Sequence, residues 1–374
     1  MNAKRANPQM RKRLLFLYLK QKSFVKDDLA LLREHYDVRV FQFDASAPSA
    51  MGRLLKLVAE AARQLAWLMR ELPKADLVYG WFADYHMVLP VLLARRFGVP
   101  VAVVLGGMDC NHLPELNYGA RDSRWRAPLV ELIVRRTDLL LPVSSALVRS
   151  ENRYARWPDR HRDGLEAFVP DLQTPHRVVP TGYDPARWPL GPERREAVVA
   201  TVAYVRSERD AKVKGIDLFV AAASELPDVR FRVVGVAPSF QAELQERYGP
   251  PENVDLLPPC SRRELSSVYG RASVYAQLSR TEGMPNVICE AMLCGCIPVG
   301  SAVAGIPEAV GEAGFLVDEP DPERIAEVLR KALDTGPQER RHSRAHVERH
   351  FAMERREERL VRVLEDVTDA GAGC

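Results

Sequence analysis

No apolar run in this 374-residue chain approaches the roughly 20 residues that a membrane span requires. The first such run, 14–19, is too short for a signal-peptide core and no small-residue cleavage site follows it. It is expected to be a buried β-strand behind a loose basic tail at residues 1–10. The six cysteines, at 110, 260, 289, 294, 296 and 374, lack the spacing of a disulfide framework, and reduced thiols in a cytoplasmic protein are the simpler reading. Cys289, Cys294 and Cys296 also lack zinc-ribbon spacing and have no histidine nearby. No expected strand leads into Gly-x-Gly-x-x-Gly, which counts against a dehydrogenase. No Asp-x-Asp triad stands near a strand end, so no catalytic metal or other cofactor is expected.

The chain is otherwise ordinary for a globular protein, at 47% hydrophobic and 28% charged residues, and long enough for two domains. Its net charge of +3 is unevenly spread. Residues 1–190 hold 29 Lys+Arg and 20 Asp+Glu, giving +9; the remainder holds 24 and 30, giving −6. The basic half suits either an anionic partner or a solvated basic surface. Nucleic acid is not the expected partner.

Short apolar runs alternate with helical patterns along the chain. The expected strands are 14–19, 38–43, 77–79, 101–105 and 139–143, then 198–203, 231–234, 254–256, 274–276 and 297–299. Expected helices between them include 27–34, 51–72, 88–97, 215–225, 263–269, 286–293 and 322–333. This alternation, with near-continuous apolar strands, argues for parallel sheets covered on both faces. The pattern runs through twice. The passes are separated by residues 180–192, where four prolines and two glycines end any regular element. The expected architecture is therefore two doubly wound α/β domains facing across a cleft, at 1–185 and 186–345. A charged helical pattern over 338–367 implies a last segment, 346–374, that straps back to the first domain.

One stretch carries most of the chemistry. The strand ending near Leu278 runs into Ser279-Arg280-Thr281-Glu282-Gly283-Met284-Pro285-Asn286, and a helix is expected from about Pro285 to Leu293. Proline suits the first helical turn, where its missing N–H has no partner anyway. Gly283 lets the backbone approach a ligand closely. The free N–H groups of a helix start bind an anion such as a phosphate. Glu282 and Glu290 flank that start, and carboxylates are strong acceptors for sugar hydroxyls. By spacing alone, a capping acid and a surface acid explain the pair equally well.

The wider sequence adds a resemblance. Glu282 to Glu290 resembles the E-x7-E motif of glycosyltransferase family 4, the retaining enzymes of GT-B fold. The flanks SRTEGMPNVICEAMLCGCIPVGSAVAGIPEAVGEAGFLV, KGIDLFVAAASELPDVRFRVVG, LPVSSALV and VVPTGYDPARW resemble that family in order and spacing. The resemblance implies that Glu290 binds ribose hydroxyls and Glu282 the donor sugar, with the backbone of Gly283, Met284, Pro285, Asn286 and Val287 lining the sugar and diphosphate. Lys214 matches the family's phosphate-binding lysine, a positive charge for the leaving diphosphate. Its arginine partner is Arg206 or Arg209, with Arg206 preferred because it directly follows a strand. The acceptor hydroxyl is then expected to attack from the face the nucleotide leaves, without a dedicated protein base.

The first domain departs from the pattern. In Gly106-Gly107-Met108-Asp109-Cys110-Asn111-His112, a glycine stands where the family often has histidine. Asp109 remains as a catalytic candidate, or as a cap of the following turn. His112 and Glu115 are acceptor-side candidates. The family's glycine-rich first loop is here Lys20-Gln21-Lys22-Ser23-Phe24-Val25-Lys26, without glycine, so no role carries over.

The resemblance implies a nucleotide-sugar donor and a glycan or lipid-linked acceptor, as in polysaccharide or glycolipid synthesis. The alternatives are a sugar-nucleotide epimerase or phosphorylase of the same fold, or a non-catalytic partner protein. Residues 51–72 are apolar and basic together. Such a helix either covers a sheet or rests on an anionic membrane, a peripheral placement at its inner face.

Overall fold

The computed structural model describes residues 11–47, 49–193 and 195–371. The basic tail expected at residues 1–10 lies outside them, as does Cys374. The first five strands are β1 (Arg13–Tyr18), β2 (Asp37–Gln42), β3 (Leu77–Trp81), β4 (Val101–Leu105) and β5 (Leu139–Pro142). They form one parallel sheet in the order β2-β1-β3-β4-β5. β3, β4 and β5 are buried along their whole length, as the unbroken apolar runs require of strands covered on both faces. A short antiparallel pair follows, β6 (Ser150–Asn152) and β7 (His161–Asp163).

The second sheet holds β8 (Val198–Val205), β9 (Arg230–Val236), β10 (Val254–Leu257), β11 (Val274–Gln277), β12 (Ile297–Ser301) and β13 (Phe315–Val317). It is parallel throughout, in the order β10-β9-β8-β11-β12-β13. The order reverses between β1 and β3 in one sheet and between β8 and β11 in the other. Ligands of doubly wound sheets bind beyond the carboxyl ends of the strands at such reversals.

The charged pattern over 338–367 is two helices, Pro337–His350 and Met353–Gly371. The break falls where the chain pairs with the linker: Tyr183 N–H donates to Phe351 O at 2.8 Å and Met353 N–H to Tyr183 O at 3.0 Å. The last helix then lies on the first domain. Arg356 donates two bonds to the buried Asp28 carboxylate at 2.6 and 2.7 Å and others to Val179 O and Pro180 O. Tyr79 and Trp81 donate to the same carboxylate at 2.5 and 2.8 Å. Every polar atom of this buried pair thus has partners, the condition under which an internal ion pair is tolerated.

Candidate functional site

The carboxyl ends of β8 and β11 bring the second-domain candidates together. Lys214 ends the helix Glu208–Val213, and Gly215 follows it in the left-handed region (φ 67°). A side chain at Gly215 would meet Leu278 O at 1.9 Å, so only glycine lets this turn sit against the end of β11. Arg280 clamps the two pieces. Its backbone N–H donates to Val213 O at 2.9 Å, and its guanidinium holds Asp217 at 2.8 and 2.9 Å and bonds Lys212 O.

The clamp delivers Lys214 Nζ to Glu282 Oε1 at 2.5 Å. Burial acts to lower the Lys214 pKa, but the Glu282 carboxylate outweighs it and the net shift is upward. Ser279 Oγ and Gln277 Nε2 also donate to Glu282 Oε1, at 2.9 and 3.2 Å. Tyr275 donates in turn to Gln277 Oε1 at 2.8 Å. All these contacts fall on Oε1; among the described residues Oε2 accepts none. Gln277, Ser279 and Arg280 were not singled out from the sequence. Polar residues closing an otherwise apolar, buried strand were the available signal.

The helix beyond the loop runs from Asn286 to Leu293. Pro285 is its cap, with φ −76° and ψ 102°, so its ring ends the loop instead of filling the first turn. Met284 and Pro285 are buried and Val287 is half-buried. Asn286 Oδ1 accepts a bond from Tyr183 OH at 2.7 Å, tying the helix start to the linker. Glu290, half-buried, lines a narrow crevice with Tyr183, Asp184, Arg187 and Arg262. Burial pushes its pKa up to about 7, against the pull of Arg262.

The cations converge from both domains. Arg206 is exposed at the end of β8, its guanidinium 3.8 Å from Asp210. Lys22 belongs to the glycine-free loop after β1, yet its pKa is lowered by burial and then by Lys20, Arg206 and Lys214. Like charges held close without an equal number of acids favour an anion between them. Tyr118 also feels Lys214 and Glu282, so its loop reaches the same place.

The first-domain candidates are placed differently. Asp109 is buried, and its carboxylate accepts N–H groups of Ala83, Gly106 and Gly107 at 3.2, 3.1 and 2.8 Å. Burial raises its pKa to about 6, against those bonds. It faces the N–H groups of its own loop and of Ala83. His112 Nδ1 lies 2.8 Å from Asp122 Oδ1. Glu115 is paired with Arg156 and faces Arg209 and Lys212 of the second domain across a shallow recess. Glu115 is therefore already partnered, whereas His112 Nδ1 makes no hydrogen bond and burial lowers the pKa of the ring.

The missing histidine has a steric reason. Gly107 has φ 125°, and a Cβ there would meet Gly283 N at 2.9 Å. A Cβ on Gly283 would meet Gly106 O at 2.1 Å. The two domains touch backbone to backbone at this point, and no side chain fits between them. Nearby, Glu308 Oε2 accepts from Ser144 Oγ, Ser145 N and Ser145 Oγ at 2.9–3.1 Å, and Asn152 donates to Arg280 O at 2.9 Å.

Residues 200–349 match the family described as glycosyl transferases group 1. The matched residues make up most of the second domain. The second-domain part of the site, from Arg206 to Glu290, lies within the matched residues. D-inositol 3-phosphate glycosyltransferase of Mycobacterium sp. (strain JLS) is 38% identical over 176 residues, 45% of this chain and 38% of that protein. The enzyme of the same name from Mycolicibacterium smegmatis is 33% identical over 168 residues, 42% of this chain and 38% of that protein. The chain thus aligns with well under half the length of either relative.

Solved structures match the whole architecture. HepE of Anabaena, solved with UDP and glucose, superposes with a TM-score of 0.69 at 17% identity, covering 95% of this chain and all of that one. Sucrose-phosphate synthase of Thermosynechococcus elongatus gives 0.73 at 16% identity, covering 96% and 100%. The two-domain fold is GT-B. Among the described residues, no three His, Cys, Asp or Glu side chains gather as a metal ligand set.

Proposed function

We propose that the protein is a retaining glycosyltransferase that moves a sugar from a nucleotide-sugar donor to a hydroxyl of a glycan or lipid-linked acceptor. The observation that carries this reading is Lys214 held on Glu282 at the strand reversal of the second sheet, with Arg206 exposed at the end of β8. Those cations stabilise the diphosphate as the glycosidic bond breaks. The helix start at Asn286 adds free backbone N–H groups to the phosphates. Glu282 positions Lys214 through Oε1 and offers Oε2 to a hydroxyl of the donor sugar. Glu290, ionised, accepts the ribose hydroxyls. The acceptor hydroxyl attacks on the face the nucleotide leaves and passes its proton to the departing phosphate. Asp109 acts as a positioning residue that shapes the Gly106–Gly107 turn, and the reading invokes no metal or other cofactor.

The relatives named as glycosyltransferases and the UDP-bound HepE support this reading. The test is a panel of UDP-, GDP- and ADP-sugars, scored first by thermal shift and then by product analysis with candidate acceptors. One donor is expected to stabilise the chain by mass action and to yield a new glycoside. Stabilisation by no member of the panel would count against the proposal. Epimerised donor or sugar phosphate as product would assign another reaction to the same fold.

A further inference from the structure

The helix Ala50–Glu71 has two unlike faces. One packs inward, with Gln64 and Leu68 buried and Leu57 and Trp67 against the core. The other turns Met51, Leu54, Leu55, Val58, Leu65 and Met69 to solvent, each between 41% and 67% exposed. At 100° per residue these six fall on an arc of about 100°, a continuous stripe rather than scattered surface leucines. Lys56, Arg63 and Arg70, seven residues apart, run along one flank of it. The helix has only two acids, Glu60 and Glu71, whose side chains are 15% and 11% exposed and are held by Arg63 and Arg70. Lys56 is likewise paired with Asp44, half-exposed beyond the helix, so the outward surface is apolar with Arg53, Lys56, Arg63 and Arg70 against Asp44, Glu60 and Glu71, a small cationic excess. It is too short of continuous apolar length to cross a membrane.

The stripe leads toward the cleft. Lys56 ties the helix to Asp44 and Ser46 beyond β2. Phe43 there stacks on Tyr85 at 5.6 Å, and Tyr85 on the exposed Trp125 at 5.8 Å. Met108, also exposed, lies beside Arg126 on the loop that carries Gly107.

We propose that this face docks the protein on an anionic lipid surface, with Ala50–Glu71 lying in the headgroup layer. The charge pattern selects this occupant: a second copy of the same face brings the same cationic excess, whereas anionic headgroups complement the basic flank and acyl chains the stripe. The docking stands on the exposed face alone and is independent of the glycosyl-transfer reading. If both hold, the cleft mouth sits at the surface where a lipid-linked acceptor presents its head.

The test is co-sedimentation of the full chain with phosphatidylcholine vesicles, with and without phosphatidylglycerol. Binding is expected only where the anionic lipid is present, and it weakens with added salt. Replacing Leu55 and Val58 together by Glu removes apolar contact from two side chains that touch no core, and should lower vesicle partition by about tenfold or more. The thermal midpoint and nucleotide-sugar binding should stay unchanged. Absence of binding to anionic vesicles, or equal binding by the double variant, overturns the proposal. So does a concentration-dependent dimer in sedimentation equilibrium that the same substitutions dissociate, because a second copy would then cover the face.

Discussion

The carboxyl ends of the two sheets face one cleft, yet they treat polar residues in opposite ways. In the second domain, Lys214 is held against Glu282, and Arg206 stands exposed at the end of β8. In the first, Asp109 turns to its own backbone, His112 to Asp122 and Glu115 to Arg156. The second-domain side holds Lys214 on Glu282 and an exposed Arg206 beside Asp210, with the Arg280 clamp fixing the turn. The first-domain side uses its charges to shape its own loop. The difference follows from the task proposed for each: a diphosphate needs fixed cations, while an acceptor needs a surface whose form varies with the molecule it admits.

The largest effect should come from the joint between the two. Arg356→Ala leaves Asp28 buried without its partner and should cost about 3–5 kcal/mol, read by denaturant unfolding. A loss below about 1 kcal/mol would mean that the strap does not hold the domains as the geometry implies. Next is the contact itself. Gly107→Ala places a Cβ 2.9 Å from Gly283 N in a left-handed conformation. Strain of about 1–3 kcal/mol is expected. It should appear as a lower thermal midpoint and, in small-angle scattering, as domains moved apart. The unliganded dimensions of the wild type would contradict this.

Glu290 sharpens the donor side through pH. Its pKa is raised by burial to about 7, so its ionised form, the better acceptor for ribose, grows as pH rises through that value. Donor affinity should therefore increase with pH across neutrality, and Glu290→Gln should flatten the profile. The same shift means that its ionisation opposes folding: the penalty is absent at acid pH and complete above about 7. An affinity that falls with pH would reassign the residue. The smallest effect belongs to the acceptor side. Glu115 sits in a largely exposed pair, so Glu115→Gln should change stability by no more than about 0.5 kcal/mol in thermal unfolding. A large loss of turnover there would show that the acceptor loop is chemically engaged after all.

The sheets were legible in the sequence because their strands are apolar runs bounded by turn residues. Val101–Leu105 lies where the pattern places it, and the other expected strands lie within a few residues of their observed ends. The loop from Ser279 to Asn286 was legible because a strand end running into a helix start is a local signal. The break near Ala352 was not, since it arises from pairing with Tyr183, far away in sequence. The direction of the Asp109 carboxylate was equally hidden: an acid after two glycines reads as a cleft residue until the backbone N–H groups that surround it are placed. Nor did three lysines in a glycine-free loop announce that Lys22 meets cations of the other domain.

The most direct test is calorimetric titration of the full chain with a nucleoside diphosphate and its sugar, for wild type and Lys214→Ala, together with turnover. One site is expected in the wild type, with affinity reduced and turnover lowered about 10²–10³-fold in the variant. Equal affinity and equal turnover in the two proteins would contradict a donor site built on Lys214 and Glu282.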